Sequence, residues 1–228
     1  MKFVVIEGLD GSGKSTQVKN MLNYLEVNNI KYKYLHFPRT ESPVYGELVS
    51  MFLRGDLGEL NSVNPYLVAL IYAGDRDNAK NEILEWLKND YLVLVDRYVY
   101  SNIAFQCAKV QQETKQHELA SWILKTEYDF YKIPKPDLSI FLDVPFEFTR
   151  KNLTSERQGV DRNYLDGKRD IHEEDLNFQE RVRNIYLKYS QTDSSMKKID
   201  CSNGKDKMLE PDEIFSKILN VLKSNGVL

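Results

Sequence analysis

Eight residues near the N-terminus, Gly8 to Ser15, have the types and the spacing of a phosphate-binding loop. Their sequence, GLDGSGKS, fits the pattern G-x-x-x-x-G-K-[ST] and follows the apolar run Phe3 to Ile6. The glycines let backbone N–H groups approach phosphate oxygens closely. Lys14 could reach the outer phosphates, the Ser15 hydroxyl could bind Mg²⁺, and the following helix would point its positive end at the same place. The loop therefore predicts a site for a nucleoside triphosphate.

Charged residues also follow two later segments that read as strands. Arg39 comes after the largely aromatic stretch 31–37, and Asp96 and Arg97 come after the apolar run 91–95. Ligands of open α/β sheets bind at the carboxyl ends of the strands. We therefore expect Arg39 to hold an anion, Asp96 to hold a magnesium-bound water, and Arg97 to face the phosphates. The alternatives are a solvated arginine at position 39 and a structural ion pair at positions 96 and 97.

A long helix is predicted to begin at Asn64-Pro65 and to extend to about residue 89. Within it, Tyr72 and Arg76 are four residues apart and so share a face. An aromatic ring and a guanidinium there could stack on a base and hydrogen-bond to it. Gly74 costs about 1 kcal/mol relative to alanine in a helix, which suggests that another group approaches the backbone. The alternative is a partly buried tyrosine beside a surface arginine.

The elements that must position these residues alternate between strand and helix. Further strands are expected at 138–142 and, more weakly, at 197–200, and further helices at 14–27, 44–52, 101–109 and 118–131. This order predicts an α/β fold with one five-stranded parallel sheet flanked by helices, in a single domain over 1–228. The charged stretch 150–175 has the composition of a mobile lid and also of an ordinary solvated loop, and composition alone favours the loop.

The bulk composition restricts the class of protein. A net charge of −3 and a hydrophobic content of 42% give no reason to expect binding to nucleic acid or to a membrane surface. Cys107 and Cys201 lie far apart and fit free thiols in a reducing compartment, and the absence of a C-x-x-C motif excludes a zinc-clipped lid. The N-terminal apolar run is too short for a signal peptide. We expect a cytoplasmic protein.

Read together, the motifs resemble the thymidylate kinase family over essentially the whole chain. The resemblance rests on residues 7–16, Phe37-Pro38-Arg39, 72–76, Asp96-Arg97-Tyr98, Ser101-Asn102 with Ala104-Phe105, and 134–138. It implies a P-loop nucleoside monophosphate kinase fold with a mobile lid. It also implies transfer of the γ-phosphoryl group of ATP to thymidine 5′-monophosphate in dTTP biosynthesis, with Mg²⁺, by a homodimer. A kinase for another acceptor, such as a deoxynucleoside, and a non-catalytic nucleotide-binding module are the alternatives.

The resemblance also assigns residues to roles. It places ATP on Gly8, Asp10, Gly11, Ser12, Gly13, Lys14, Ser15 and Thr16. It places the acceptor nucleotide on Asp10, Phe37, Arg39, Tyr72, Arg76, Arg97, Asn102 and Phe105. Tyr72 would stack on thymine, Arg76 would bond a base carbonyl, and Asn102 would read the N3 edge. Phe105 would crowd the sugar, and Ser15 and Asp96 would hold the metal.

Catalytic positive charge would come from Lys14, Arg97, Arg39 and an arginine of the lid. Some relatives carry a basic residue inside the phosphate loop, and this loop carries none, so the resemblance predicts that the lid supplies it. Arg157 is the first choice and Arg150 the second. His172 stands where relatives often have a tyrosine, between Asp170 and Glu173.

Overall fold

A parallel β-sheet carries the residues singled out above. The computed structural model describes residues 2–154, 164–168, 170–204 and 207–228. Within them the strands are β1 (Lys2–Glu7), β2 (Tyr32–His36), β3 (Leu92–Asp96), β4 (Leu138–Asp143) and β5 (Met196–Asp200). They pair in the order β2-β3-β1-β4-β5, and every pair is parallel. The predicted five-stranded parallel sheet is confirmed.

Helices cover both faces of this sheet. They are α1 (Lys14–Val27), α2 (Tyr45–Leu53), α3 (Pro65–Lys88), α4 (Val99–Cys107), α5 (Glu113–Leu124), α6 (Phe146–Thr154), α7 (Ile171–Glu174), α8 (Leu176–Thr192) and α9 (Pro211–Ser224). Side chains of a strand alternate between faces. Phe3 and Val5 of β1 therefore join a core with α3, α4 and α8, whereas Val4 and Ile6 join a second core with α1 and α9. Burial on both faces explains why the inner strands read as continuous apolar runs.

The register brings the carboxyl ends of the strands to one edge. Ile6 of β1 and His36 of β2 both lie opposite Asp96 of β3, and Glu7 lies opposite Phe141 of β4. The segments that follow these strands therefore start side by side. This arrangement places the phosphate loop next to the charged residues after β3, as the sequence predicts.

One helix differs from its prediction. The segment expected at 118–131 begins at Glu113 as α5, and the chain then forms a π-helical segment, Lys125–Phe130. The first residues of α5 are polar, so apolar periodicity gave no signal for its start. The π-helical segment turns Glu127 into the protein interior, where this carboxylate is fully buried.

The close approach predicted at Gly74 is confirmed. A Cβ atom at this position would lie 2.2 Å from Cε1 of Tyr45, so the tyrosine ring rests directly on the backbone of α3. At Gly46, a Cβ atom would lie 2.4 Å from the carbonyl oxygen of Arg39. These two contacts hold α2 against α3 and against the segment that follows β2.

Part of the predicted lid lies outside the described residues. Helix α6 ends at Thr154, and the chain is described again from Tyr164 to Lys168 and from Asp170. The mobility of the lid therefore stays a prediction. In the part of the chain that the structure describes, no helix is both long and apolar enough to cross a bilayer.

Candidate active site

A cavity of about 970 Å³ opens at the carboxyl edge of the sheet. Most of the predicted site residues line it: Asp10, Gly11, Ser12, Gly13, Lys14, Ser15, Thr16, Phe37, Tyr72, Arg76, Asp96, Arg97, Asn102 and Phe105. Gly8 and Arg39 do not line it but contact residues beside it, and Arg157 lies outside the described residues. The cavity thus connects the phosphate loop with the side chains expected to hold a second ligand.

The phosphate loop has the backbone conformation that its glycines permit. Gly11 and Gly13 have φ values of 69° and 80°, in the left-handed region, and α1 begins at Lys14. The Lys14 side chain is 7% exposed, and its Nζ donates to the carbonyl oxygen of Leu9 at 2.7 Å. Burial and the nearby charge of Arg97 lower the pKa of Lys14 to about 8. A buried ammonium therefore lies beside the N-terminal end of α1.

Arg97 joins the loop to the end of β3. Its guanidinium donates to the carbonyl oxygen of Gly8 at 2.9 Å, to Oγ of Ser101 at 3.3 Å and to Oδ1 of Asp10 at 2.5 Å. The guanidinium carbon also lies 5.1 Å from the ring centre of Phe105. The backbone of Arg97 has a φ of 66°, an uncommon conformation for a non-glycine residue and one that concentrates at functional sites. Arg97 is therefore held in place by several partners at once.

Asp10 faces this arginine from the loop. Burial acts to raise the pKa of Asp10, but the charges of Arg97 and Lys14 outweigh it and bring the value to about 2. The other carboxylate oxygen of Asp10 accepts from Nε2 of Gln179 at 2.9 Å. The loop carboxylate is thus ionised and linked to α8.

Glu7 was not among the predicted site residues. It is fully buried and accepts from Oγ of Ser101 at 2.5 Å, from the hydroxyl of Tyr186 at 2.9 Å and from the backbone N–H of Tyr98 at 3.0 Å. Burial raises the pKa of Glu7, and these donors together with Arg97 oppose the rise. Glu7 fixes the start of α4 to β1. A charged residue at the end of an apolar strand was the available signal.

A buried cluster closes the other end of the cavity. Arg76 is 2% exposed, which excludes the alternative of a surface arginine. Its Nε and Nη2 atoms donate to Glu127 at 2.5 and 2.8 Å. Nδ2 of Asn102 donates to the same carboxylate at 2.9 Å and to the carbonyl oxygen of Ala69 at 3.0 Å. Glu127 was also missed, because its partners lie 51 and 25 residues away in the sequence.

His172 contributes to an aromatic wall of the cavity. Its ring lies 4.9 Å from that of Phe105, 5.5 Å from that of Phe52 and 5.4 Å from that of Phe178. Burial lowers the pKa of His172 to about 3, so the imidazole is neutral. A neutral histidine packed among aromatic rings limits the space for a ligand by steric contact, but it adds no charge to the cavity.

Asp170 lies in the same region. Burial, together with the charges of Asp10 and Glu173, raises its pKa to about 7. The hydroxyl of Tyr164 donates to its Oδ2 atom at 2.9 Å. Asp170 and Glu173 therefore line the same cavity as the phosphate loop.

Arg39 is fixed to α3 rather than solvated. Its backbone N–H and its Nε donate to the buried carboxylate of Asp75 at 2.8 and 2.9 Å. Its Nη2 donates to the carbonyl oxygen of Asp75 and to Oδ1 of Asn78, both at 2.8 Å. Phe37 is buried, lines the cavity and lies 5.8 Å from the guanidinium carbon. The role of Arg39 toward an anion stays a prediction.

Helix α6 contacts the phosphate loop. Nδ2 of Asn152 donates to the carbonyl oxygen of Gly11 at 2.7 Å. Arg150, two residues before Asn152 in the same helix, forms an exposed ion pair with Glu147 at 2.5 Å. The C-terminal end of the helix that leads into the predicted lid therefore lies against the loop.

The residues present fit a magnesium ion. Asp96 is 3% exposed; its Oδ2 lies 3.3 Å from Nδ1 of His36, and its Oδ1 has no hydrogen-bond partner among the described residues. Ser15 lines the same cavity. No group of three or more histidine, cysteine, aspartate or glutamate side chains is arranged for metal in the ranges described. One carboxylate and one hydroxyl suit Mg²⁺, which keeps waters and substrate phosphates as its other ligands.

Comparisons with known proteins agree with this geometry. A family model described as thymidylate kinase matches residues 6–210. A protein named thymidylate kinase from Mycobacterium tuberculosis (strain H37Rv) is 31% identical over 185 residues, which are 81% of this chain and 83% of the relative. One of the same name from Plasmodium falciparum is 33% identical over 144 residues, 63% of this chain and 62% of that relative. A solved structure of thymidylate kinase from Candida albicans superimposes with a TM-score of 0.71, at 23% identity over 99% of this chain and 92% of that one.

Proposed function

Because the chain belongs to the thymidylate kinase family, we propose that it transfers the γ-phosphoryl group of ATP to thymidine 5′-monophosphate, giving ADP and thymidine 5′-diphosphate. One observation carries the proposal: a single cavity joins the phosphate loop to the buried cluster around Arg76 and Asn102. A donor triphosphate and an acceptor nucleotide can therefore occupy neighbouring sites. This arrangement disfavours a binding module with one nucleotide site.

The protein's part in the reaction is positioning and positive charge. Phosphoryl transfer passes through a loose transition state with charge on the peripheral oxygens. Lys14 binds the outer phosphates of ATP, and Arg97 holds the acceptor phosphate in line with them. The acceptor phosphate is already ionised at neutral pH, so the site needs no general base. The ion pair of Arg97 with Asp10 keeps the guanidinium directed between the two ligands.

Ser15 and Asp96 would hold Mg²⁺, which neutralises charge on the triphosphate when it is bound. The Oδ1 atom of Asp96 has no hydrogen-bond partner among the described residues, and a buried carboxylate oxygen without a donor is costly unless a ligand completes it. This supports the assignment.

The acceptor nucleotide lies along the opposite wall. Tyr72 stacks on the base, Arg76 donates to a base carbonyl, and Asn102 accepts from the N3 edge. Phe105, backed by the neutral ring of His172, crowds the sugar and disfavours a 2′-hydroxyl. Arg39 and Phe37 complete the acceptor side at the end of β2.

We further propose a single domain with a mobile lid that supplies a catalytic arginine. Arg157 is the first choice and lies outside the described residues. Arg150 is the second, and its exposed pairing with Glu147 on α6 is weak enough to be exchanged for a phosphate contact.

A homodimer in the cytoplasm, without nucleic-acid or membrane partners, completes the proposal. Its support is an apolar patch on α3, where Leu67 is 60% exposed and Leu70 is 39% exposed, which a second copy of the chain could cover. The thiols of Cys107 and Cys201 are unpaired and buried, in keeping with a reducing compartment.

The test is an ADP-release assay with ATP and Mg²⁺ in which dTMP, dUMP, dCMP, dGMP and thymidine are compared as acceptors. The proposal requires that dTMP is strongly preferred, and Lys14→Ala should abolish most of that turnover. Turnover with thymidine alone would indicate a deoxynucleoside kinase instead. ATP binding without turnover on any acceptor would indicate a non-catalytic module.

A further inference from the structure

The carboxylate of Glu127 holds together the two side chains assigned to the base. It is fully buried on the π-helical segment and bonds Arg76 twice and Asn102 once. We propose that Glu127 is a positioning residue that makes this end of the cavity select a base with a carbonyl group next to an N–H group. This inference rests on the proposed function, because it concerns the acceptor site of that reaction.

The partners of Asn102 use both of its N–H donors, so the side chain can offer a ligand only an acceptor. An asparagine amide offers two donors and one acceptor oxygen. Both donors are used, one by Glu127 and one by the carbonyl oxygen of Ala69. Neither partner can donate, so a flipped amide would lose both bonds. The Oδ1 atom remains, buried and without a partner in the described part of the chain. A ligand that carries an N–H group at this position can satisfy it.

Arg76 becomes a pure donor in a fixed orientation. A guanidinium has five N–H groups and no acceptor. Glu127 takes one from Nε and one from Nη2, which fixes the plane of the group and balances its charge. The remaining N–H groups are available to the cavity that Arg76 lines. These N–H groups need an acceptor, such as a carbonyl oxygen of the ligand.

The two side chains therefore present donors beside one acceptor. Thymine and uracil match this pattern with O4 and N3–H, and guanine matches it with O6 and N1–H. Cytosine has the opposite pattern, because its N4 amino group would face the guanidinium and its unprotonated N3 would face the Asn102 oxygen. Unpaired and opposed polar groups of this kind reject a ligand strongly. Guanine and thymine share this hydrogen-bonding pattern, so the size of the base must distinguish them at this site.

Neutralising Glu127 should remove the selection. In Glu127→Gln, the new amide group can donate to the Asn102 oxygen or force the Asn102 amide to flip, and Arg76 loses its counter-charge. Loss of a charged hydrogen bond of this kind corresponds to about a tenfold to hundredfold change. We expect the ratio of kcat/KM for dTMP to that for dCMP to fall by this factor. The change should lie mainly in the acceptor KM, and the KM for ATP should stay the same.

The matched control is Asp129→Asn, which makes the same acid-to-amide change on the same segment at an exposed position. It should leave the ratio unchanged. Glu127→Asp keeps the charge but shortens the reach, so its ratio should fall between those of the wild type and Glu127→Gln. If Glu127→Gln does not fold by circular dichroism, Glu127→Asp carries the test, and a ratio equal to the wild type overturns the inference.

An equal loss of turnover with every acceptor in folded Glu127→Gln would also overturn it, because that result means a structural role alone. Failure of the wild-type protein to phosphorylate dTMP would instead overturn the proposed function. The two failures are thus distinguished by which protein, wild type or variant, departs from expectation.

Discussion

If Lys14 binds ATP as proposed, its buried ammonium should make ATP use sensitive to alkaline pH. Its pKa in the free protein is about 8, against an ordinary value of 10.5, because burial and then the charge of Arg97 disfavour the protonated form. This difference corresponds to about 3 kcal/mol of unfavourable free energy for the charge before phosphate arrives. In the proposed mechanism the protonated form binds the triphosphate, so its loss above pH 8 should weaken ATP capture.

The measurement is kcat/KM for ATP at saturating dTMP across the range from neutral pH to pH 9.5, since this parameter reports groups of the free protein. With a pKa of about 8, it should fall about tenfold between pH 7 and pH 9. Lys14→Arg is the matched variant, because a guanidinium stays protonated over this range. Its absolute value will be lower, but its profile should be flat.

Two results would refute this reasoning. A wild-type profile that is level to pH 9.5 would mean that Lys14 keeps an ordinary pKa despite its burial. The same descent in Lys14→Arg would assign the titration to another group.

Three further predictions concern stability. Glu7→Ala leaves the Ser101 and Tyr186 hydroxyls without their acceptor, so it should lower the free energy of unfolding in urea by about 3–5 kcal/mol. A loss no larger than that of an average surface substitution would contradict the anchoring role of Glu7. Gly74→Ala should lower stability by about 1–3 kcal/mol despite the better helix propensity of alanine, since the new methyl group meets the Tyr45 ring. That cost should shrink in a Tyr45→Ala background, and simple additivity would count against the contact. For Asp10, whose folded pKa of about 2 lies below its ordinary 3.8, the stabilisation is present above pH 3.8 and is lost as the pH falls toward 2. The advantage of the wild type over Asp10→Asn in chemical unfolding should thus decrease by about 2 kcal/mol over that interval, and a constant difference would show that the pKa is not depressed.

Local patterns were enough to predict the parts of the site that lie within one segment. The loop from Gly8 to Ser15 and the charged pair after β3 were found because their chemistry depends on neighbours in the sequence. The helix that carries Tyr72 and Arg76 was found from its cap at Asn64-Pro65, and Asn64 indeed accepts from the backbone N–H of Tyr66. The glycine at position 74 predicted a close contact, but the sequence did not identify Tyr45 as the contacting residue.

The groups that orient these residues could not be predicted in the same way. Glu127 reaches Arg76 across 51 residues, and Glu7 reaches Tyr98 across 91 residues. A buried acid and an exposed acid look alike in a sequence, and only the packing of α4 and the π-helical segment decides between them. The order of the strands also depends on crossovers that hydrophobic periodicity does not encode.

The two outer strands of the sheet, β2 and β5, also bear on how the protein meets other copies of itself. Among the described strands, each pairs with a neighbour on one side only, and the other side is where a foreign strand could add. Both carry lysines, Lys33 on β2 and Lys197 and Lys198 on β5, so that stacking one edge on another would bring like charges together. Edge-to-edge growth into aggregates is thereby discouraged. The proposed homodimer would then form through a helical surface, where a closed and finite assembly is possible.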